Sequence, residues 1–264
     1  MRCFENNDRK YEHCSCQVLV FSCLGEQTGP MSAPRTARER VRDEVTKEIL
    51  VVARAHLARD GGAALSLRSI ARDLGMAPSA LYRYFDGRDA LLSALILEAY
   101  GALADEAEKA SAAAYRGSVG PAARWLAVPR AMRTWALARP HEWGLIFGSP
   151  VPGYRAPEET VVPYTRLATA LVRPVVDALE QGDLDVADDG GESAPLRHAL
   201  APVHDALLPG CTVTTVQRTL HAWATLIGAV SLEVFGHWRK TVLDPALFFD
   251  VTMCDAARLI GLPI

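Results

Sequence analysis

The chain has 264 residues, is 50% hydrophobic, and carries 28 Lys/Arg against 31 Asp/Glu for a formal net charge of −3. That is ample apolar material for two cores, and the slightly negative balance excludes a basic coat that wraps nucleic acid along its whole surface. No stretch reaches the roughly 20 apolar residues of a membrane span. The apolar run Gln17–Leu24 is short and comes after an acid-containing segment, a poor secretory signal. A cytoplasmic protein with no membrane contact is expected.

Residues 1–33 differ in character from the rest of the chain. Cys3, Cys14, Cys16 and Cys23 are four of the six cysteines, and no helical period is visible among them. The expectation is a disordered extension, or a mis-assigned start with Met31 as the true initiator. A zinc site from His13 and these cysteines lacks the paired C-x₂₋₄-C knuckles of structural zinc, so no metal is expected. Cys211 and Cys254 are isolated and read as reduced core thiols.

The first predicted helix is Arg35–Arg59, with Val41, Val45, Ile49, Val52 and His56 along one side and Gly61-Gly62 ending it. Arg35, Arg38, Arg40 and Arg42 cluster at its start. They are either a phosphate-touching arm or a solvated face.

Next comes the most specific stretch, Ser66–Leu92, SLRSIARDLGMAPSALYRYFDGRDALL. Ser66 is the expected N-cap of a short helix, its hydroxyl accepting from an orphan amide. Leu67, Ile70, Ala71 and Leu74 form one apolar stripe at i, i+3, i+4 and i+7, and Gly75 suits a left-handed stop. A second helix starts at Pro78, whose missing N–H is harmless there. Leu81 and Phe85 face the core, and Ser79, Ala80, Tyr82, Arg83 and Tyr84 occupy the other faces. Asp86 is the expected cap of the following helix, with Asp89 three residues on completing a box. Arg88 in that helix's first turn opposes the dipole, so an external phosphate is a fitting partner. Short helix, Gly turn, short helix with Ser, Arg and Tyr: this is the layout of a helix-turn-helix DNA reader.

The remainder reads as helix throughout: Gly87–Ala114, Pro121–Ala138, Pro140–Phe147, Glu158–Glu180, Leu196–Leu207, Thr214–Trp238 and Pro245–Ile260. Ser149–Gly153 is a loop, and Gly182–Ala194 is an acidic, Gly-rich surface loop. Residues 34–95 hold 11 Lys/Arg against 8 Asp/Glu, and residues 96–264 hold 14 against 19. The reader half is slightly basic and the rest acidic, as separate DNA and effector modules would be.

The run LSLRSIARDLGMAPSALYRYFDGRDALL resembles the TetR/AcrR family of transcription regulators. The match rests on Ile70-Ala71, Gly75, Leu81-Tyr82, Tyr84-Phe85, Arg88-Asp89 and Leu91. The resemblance implies an all-α chain: an N-terminal three-helix reader domain over 34–92, and a larger helical effector-binding and dimerisation domain over 93–264. It implies that Ser66, Arg68, Ser79, Ala80, Tyr82, Arg83 and Tyr84 lie against double-stranded operator DNA, with Arg88 in place of the usual phosphate-binding Lys. Two departures stand out. Ala77-Pro78 replaces a common Ser cap, and Arg for Lys at 88 keeps the charge but changes its geometry. HAWATLIGAVSLEVFGHW and ARPHEWGLIFGSP resemble a subgroup with a Trp…Gly…Glu-x-x-Gly-His pattern, here Trp223, Gly228, Glu233, Gly236 and His237.

Trp125, Trp135, His141, Trp143, Phe147, Tyr154, Tyr164, His221 and Trp223 crowd the second domain. Trp125, Trp135, His141, Trp143, Phe147, Tyr164, His221 and Trp223 are the candidate lining of an apolar pocket for a small effector. Taken singly, each aromatic is an ordinary core residue, and His141 and His221 read as hydrogen-bonded core histidines. Small residues at Ala224, Gly228, Ala229 and Ser231 suit close pairing with a second copy. A homodimer reads a palindrome, where one reader touches too few bases for selectivity. The expected function is a ligand-released repressor; an activator or a ligand-independent regulator stays open. A helical-bundle enzyme finds no support: there is no Gly-rich phosphate loop, H-E-x-x-H or G-x-S-x-G, and no cofactor is expected. A protein-binding adaptor using the same surface is the third class.

Overall fold

A computed structural model describes residues 36–117, 119–185 and 194–264. The N-terminal segment with His13, the four cysteines and Met31 lies outside the described residues, as does most of the acidic loop before residue 194. Among the described residues there are ten α-helices and no strand, the all-α class expected.

The helix α1 (Ala37–Asp60) begins in a capping box: Thr36 Oγ1 accepts from the Glu39 amide at 3.3 Å, and Glu39 Oε2 accepts from the Thr36 amide at 2.7 Å. Its buried side is Ile49, Leu50, Ala53, His56 and Leu57. Val41, expected on that side, is exposed, because the buried apolar contacts of α1 begin near its middle. A single 3-10 turn (Gly62–Ala64) leads to α2 (Leu67–Asp73) and α3 (Pro78–Leu81).

The predicted stripe is buried at Leu67, Ile70 and Ala71 and half-buried at Leu74, and Leu81 of α3 and Phe85 just after it are buried as expected. Gly75 takes φ +65° in the turn between them, a conformation costly for any side chain with a Cβ. Two expected caps are corrected. Ser66 sits at the N-cap of α2 but makes no side-chain cap bond. Asp86 does not cap α4 (Arg88–Arg116); Gly87, at φ +104°, stands at that position instead.

At about 1.5 Å per residue the 29 residues of α4 span roughly 43 Å. It begins beside the reader and continues into the second domain, packed mainly on α5 (Pro121–Ala138) and α7 (Val161–Gln181), with α6 (Pro140–Phe147) across it. The helix α8 (Ala194–Leu207) packs on α9 (Val213–Val234). In turn α9 pairs with α10 (Pro245–Ile260). Asp244 caps α10 by accepting from the Leu247 amide at 3.0 Å. No helix of the described residues is long and apolar enough to cross a membrane.

Candidate DNA interface and effector cluster

The reader face is built on α3. Only four residues are regularly helical, after which the chain tightens into i→i−3 bonds: the Arg83 amide donates to the Ala80 carbonyl at 3.2 Å and Tyr84 to Leu81 at 2.9 Å. Leu81 and Phe85 pin this turn to the core. Opposite them, Ser79, Tyr82 and Arg83 are exposed and Ala80 is partly so. Tyr82 is 51% exposed, unusual for a large ring, and neither its hydroxyl nor the Arg83 guanidinium bonds to another described residue. Arg68 on α2 is exposed and Ser66 half-buried. The geometry leaves donors pointing out from a fixed backbone, as base and phosphate contacts require.

Tyr84 and Arg88 are placed differently. Tyr84 is half-buried, its ring under the Arg42 guanidinium at 5.3 Å from the centroid. The Arg88 Nη2 donates to the Gly62 carbonyl at 2.9 Å and the Ala63 carbonyl at 3.2 Å, and Nη1 lies 3.6 Å from Asp89. Its fork therefore faces the loop after α1. Without DNA the guanidinium expected on a phosphate at 88 bonds these loop carbonyls, so a phosphate would have to share or compete for the fork. His56, buried on α1, bonds Asp73 Oδ2 at 2.7 Å through Nε2 and so ties the end of α2 to α1. That bond holds the Asp73 carboxyl below its usual range.

In the second domain, four of the eight candidate effector residues meet. Phe147 lies 4.4 Å from Trp143 and 6.1 Å from Trp223, and Tyr164 packs edge-on to Trp223 at 5.8 Å. Tyr100 of α4 completes the group, edge-on to Phe147 at 5.9 Å and to Tyr164 at 6.1 Å. Sequence reading missed Tyr100; its place twelve residues after Arg88, on the inward stripe of α4, was the available signal. The Trp143 indole donates to Ser231 Oγ at 3.1 Å, so Ser231 faces inward rather than toward a second copy. Burial pushes the Tyr164 hydroxyl above its ordinary pKa.

The other four candidates stand apart. Trp125 is buried and donates to the Met253 carbonyl of α10 at 2.7 Å. Trp135 is buried beneath Arg139, with an indole N–H that has no partner among the described residues. His141 and His221 are exposed, which corrects their reading as core histidines: each sits on the outer side of its helix. His141 borders a cleft of about 470 Å³ between the end of α1 and α6, with Leu57, Leu145, Val151 and Phe235. On the outer side of α9 and α10, Leu232, Leu247, Phe248, Val251 and Leu259 are exposed.

A short helix-turn-helix with a solvent-facing second helix, joined by one long helix to an aromatic-rich bundle, defines a helix-turn-helix DNA-binding regulator. Residues 49–95 match the family model "Bacterial regulatory proteins, tetR family", and residues 125–256 match "Tetracyclin repressor-like, C-terminal domain". The chain is 37% identical over 216 residues to the HTH-type transcriptional regulator Rv1816 of Mycobacterium tuberculosis, covering 81% of this chain and 91% of that one. It is similar to the solved regulatory protein SCO4313 at 36% identity and a TM-score of 0.67, over 84% of this chain and 98% of that one. A structure of a protein from Rhodococcus sp. RHA1 matches at 25% identity and a TM-score of 0.57, over 82% and 93%. The chain belongs to the TetR family of transcriptional regulators. It binds DNA, and it is a regulator rather than an enzyme.

Proposed function

We propose that the protein is a cytoplasmic, homodimeric repressor that holds a palindromic operator and is released by a small apolar or aromatic effector. The carrying observation is the unpartnered, outward face of α3, with Tyr82 and Arg83 exposed on a turn whose backbone is pinned by Leu81 and Phe85. Residues 34–92 form the reader and 93–264 the effector and dimer domain. Ser79, Ala80 and Arg83 read base edges; Tyr82, Arg68, Ser66 and the Tyr84 hydroxyl hold the backbone.

The effector sits against Trp143, Phe147, Tyr164 and Trp223, with Tyr100 reporting its presence. Tyr100 lies roughly 18 Å along α4 from Arg88, so a shift of the rings is carried by a rigid helix to the reader's loop. The outward apolar side chains of α9 and α10 support pairing of two copies.

A gel shift with DNA from the protein's own upstream region tests the reading. Arg83→Ala should weaken operator binding by roughly tenfold, and Tyr82→Phe more modestly, with melting temperatures unchanged. Equal affinity of both variants and wild type would sink the contact assignments. An added aromatic effector should release wild type but not Trp223→Ala.

A further inference from the structure

The start of α1 carries three described arginines, Arg38, Arg40 and Arg42, and a basic cluster there is ordinarily read as a phosphate arm. Arg42 is not placed as one. Its Nη2 donates to the Arg83 backbone carbonyl at 2.9 Å, across 41 residues of sequence. The same guanidinium lies over the Tyr84 ring at 5.3 Å. Two planar contacts on consecutive residues fix both the position and the tilt of one segment. The segment is the C-terminal end of the reader helix, where orphan carbonyls need an outside donor.

Resting on the reading of α3 as the base-reading element, we infer that Arg42 is a positioning residue that determines sequence specificity. It sets how Ser79, Tyr82 and Arg83 are presented to the groove. The physical need is clear from the size of α3. Four residues cannot hold a helix axis by their own hydrogen bonds, and Leu81 and Phe85 anchor one side of it only. Arg42 supplies the restraint at the far end. Its own base is firm despite its exposure: the Thr36–Glu39 capping box fixes the start of α1, and Thr46 Oγ1 donates to the Arg42 carbonyl at 2.8 Å. A displacement of base-reading side chains by a fraction of an ångström loses directional bonds to base edges, yet leaves charge–phosphate attraction almost intact. Arg42 therefore acts on the ratio of specific to non-specific binding and leaves non-specific affinity alone.

A lysine cannot replace it. An ammonium keeps the charge but has no planar fork to stack on Tyr84 while bonding the carbonyl. This separates a strut from a phosphate contact, for which Lys is an adequate substitute.

The test uses the full chain, a duplex that wild type enriches from a random-sequence pool, and calf-thymus DNA as competitor, across a salt series. Arg42→Ala should lower the ratio of selected to bulk affinity about tenfold. The slope of log Kobs against log salt should stay as in wild type, and Arg42→Lys should fail to restore the ratio. A slope shallower by about one unit, with equal loss on both DNAs and rescue by Lys, identifies a phosphate contact and overturns the inference. Wild-type ratio and slope in Arg42→Ala overturn it as well. A wild-type chain that enriches no sequence overturns the reading of α3 itself, before any Arg42 variant is compared. Because Lys preserves charge and stem, it decides the question even if the Ala variant folds poorly.

Discussion

Near its start α4 buries Leu91, Leu92, Leu95 and Ile96 in the reader's core and adds polar struts around it: Arg88 on the carbonyls of Gly62 and Ala63, and Arg54 of α1 on Glu98. From Tyr100 onward it meets the second domain through rings and forked ion pairs, with Arg166 of α7 gripping Glu108 and Asp105 at 2.5 and 2.6 Å. The same contrast runs through both domains. The short helices of the reader are held by side chains of its own longer helices: His56 of α1 on Asp73, Arg42 of α1 on the Arg83 carbonyl, and Arg88 in the first turn of α4 on the loop. The second domain buries Trp125, Trp135 and Trp143 and locks α5 to α9 through the paired bonds of Arg133 to Glu233, at 2.7 and 2.5 Å. What this teaches is a division of labour. The reader commits its apolar residues to one side so that its polar ones stay free, and polar struts from α1 and the start of α4 add to the rigidity of its short helices.

The strongest way to break the comparison is in the aromatic cluster. Trp143 is fully buried and bonded to Ser231, so Trp143→Ala removes a large side chain and strands a hydroxyl. A loss of about 3–5 kcal/mol is expected in denaturant unfolding. A loss below about 1 kcal/mol would show that ring burial does not hold the second domain, and the contrast would fail.

This difference also explains what could be read from the sequence. The reader was legible because its structure is local: Ile70-Ala71, Gly75, Leu81 and Phe85 keep fixed spacings, and the stripe they predict is the stripe that is buried. The helix limits Pro121–Ala138, Pro140–Phe147 and Pro245–Ile260 were legible for the same reason, since a proline marks each start. The aromatic cluster was not. It joins residues from α4, α6, α7 and α9, and no local period says that Tyr100 meets Phe147 while Trp125 turns away to Met253. The struts were hidden too. Arg42 and Arg88 look like phosphate ligands in the sequence because their partners are backbone carbonyls, which carry no residue-type signal.

Helix starts give a smaller and sharper comparison. Thr36 and Ser66 stand at equivalent positions, but only the Thr36 hydroxyl accepts from a backbone amide, within a capping box. Thr36→Ala should cost about 1 kcal/mol and Ser66→Ala less than about 0.5 kcal/mol. Equal losses by thermal unfolding would mean that Ser66 caps α2 in solution. A Ser66→Ala variant that keeps its stability but loses operator affinity would place the hydroxyl on DNA instead.

The least effect is expected from acid, where both regions use a lowered carboxylate but with different partners. His56 holds Asp73 below the usual 3.8, chiefly through their hydrogen bond, and Arg130 does the same to Asp250 across α5 and α10. A depressed folded value means that each carboxylate's contribution is present above 3.8 and is lost as pH falls through the folded value. Wild type should therefore exceed Asp73→Asn and Asp250→Asn at neutral pH, with both gaps closing below pH 3.8. The Asp250 gap should be the wider, because its partner is a two-pronged guanidinium at 2.9 and 2.7 Å that stays charged at every pH tested. Asp73 is solvent-exposed and screened, so its gap is small. A gap that widens on acidification has the wrong sign for a lowered carboxylate. An Asp73 gap equal to that of Asp250 would mean that the reader's strut is as firm as the forked pairs of the second domain.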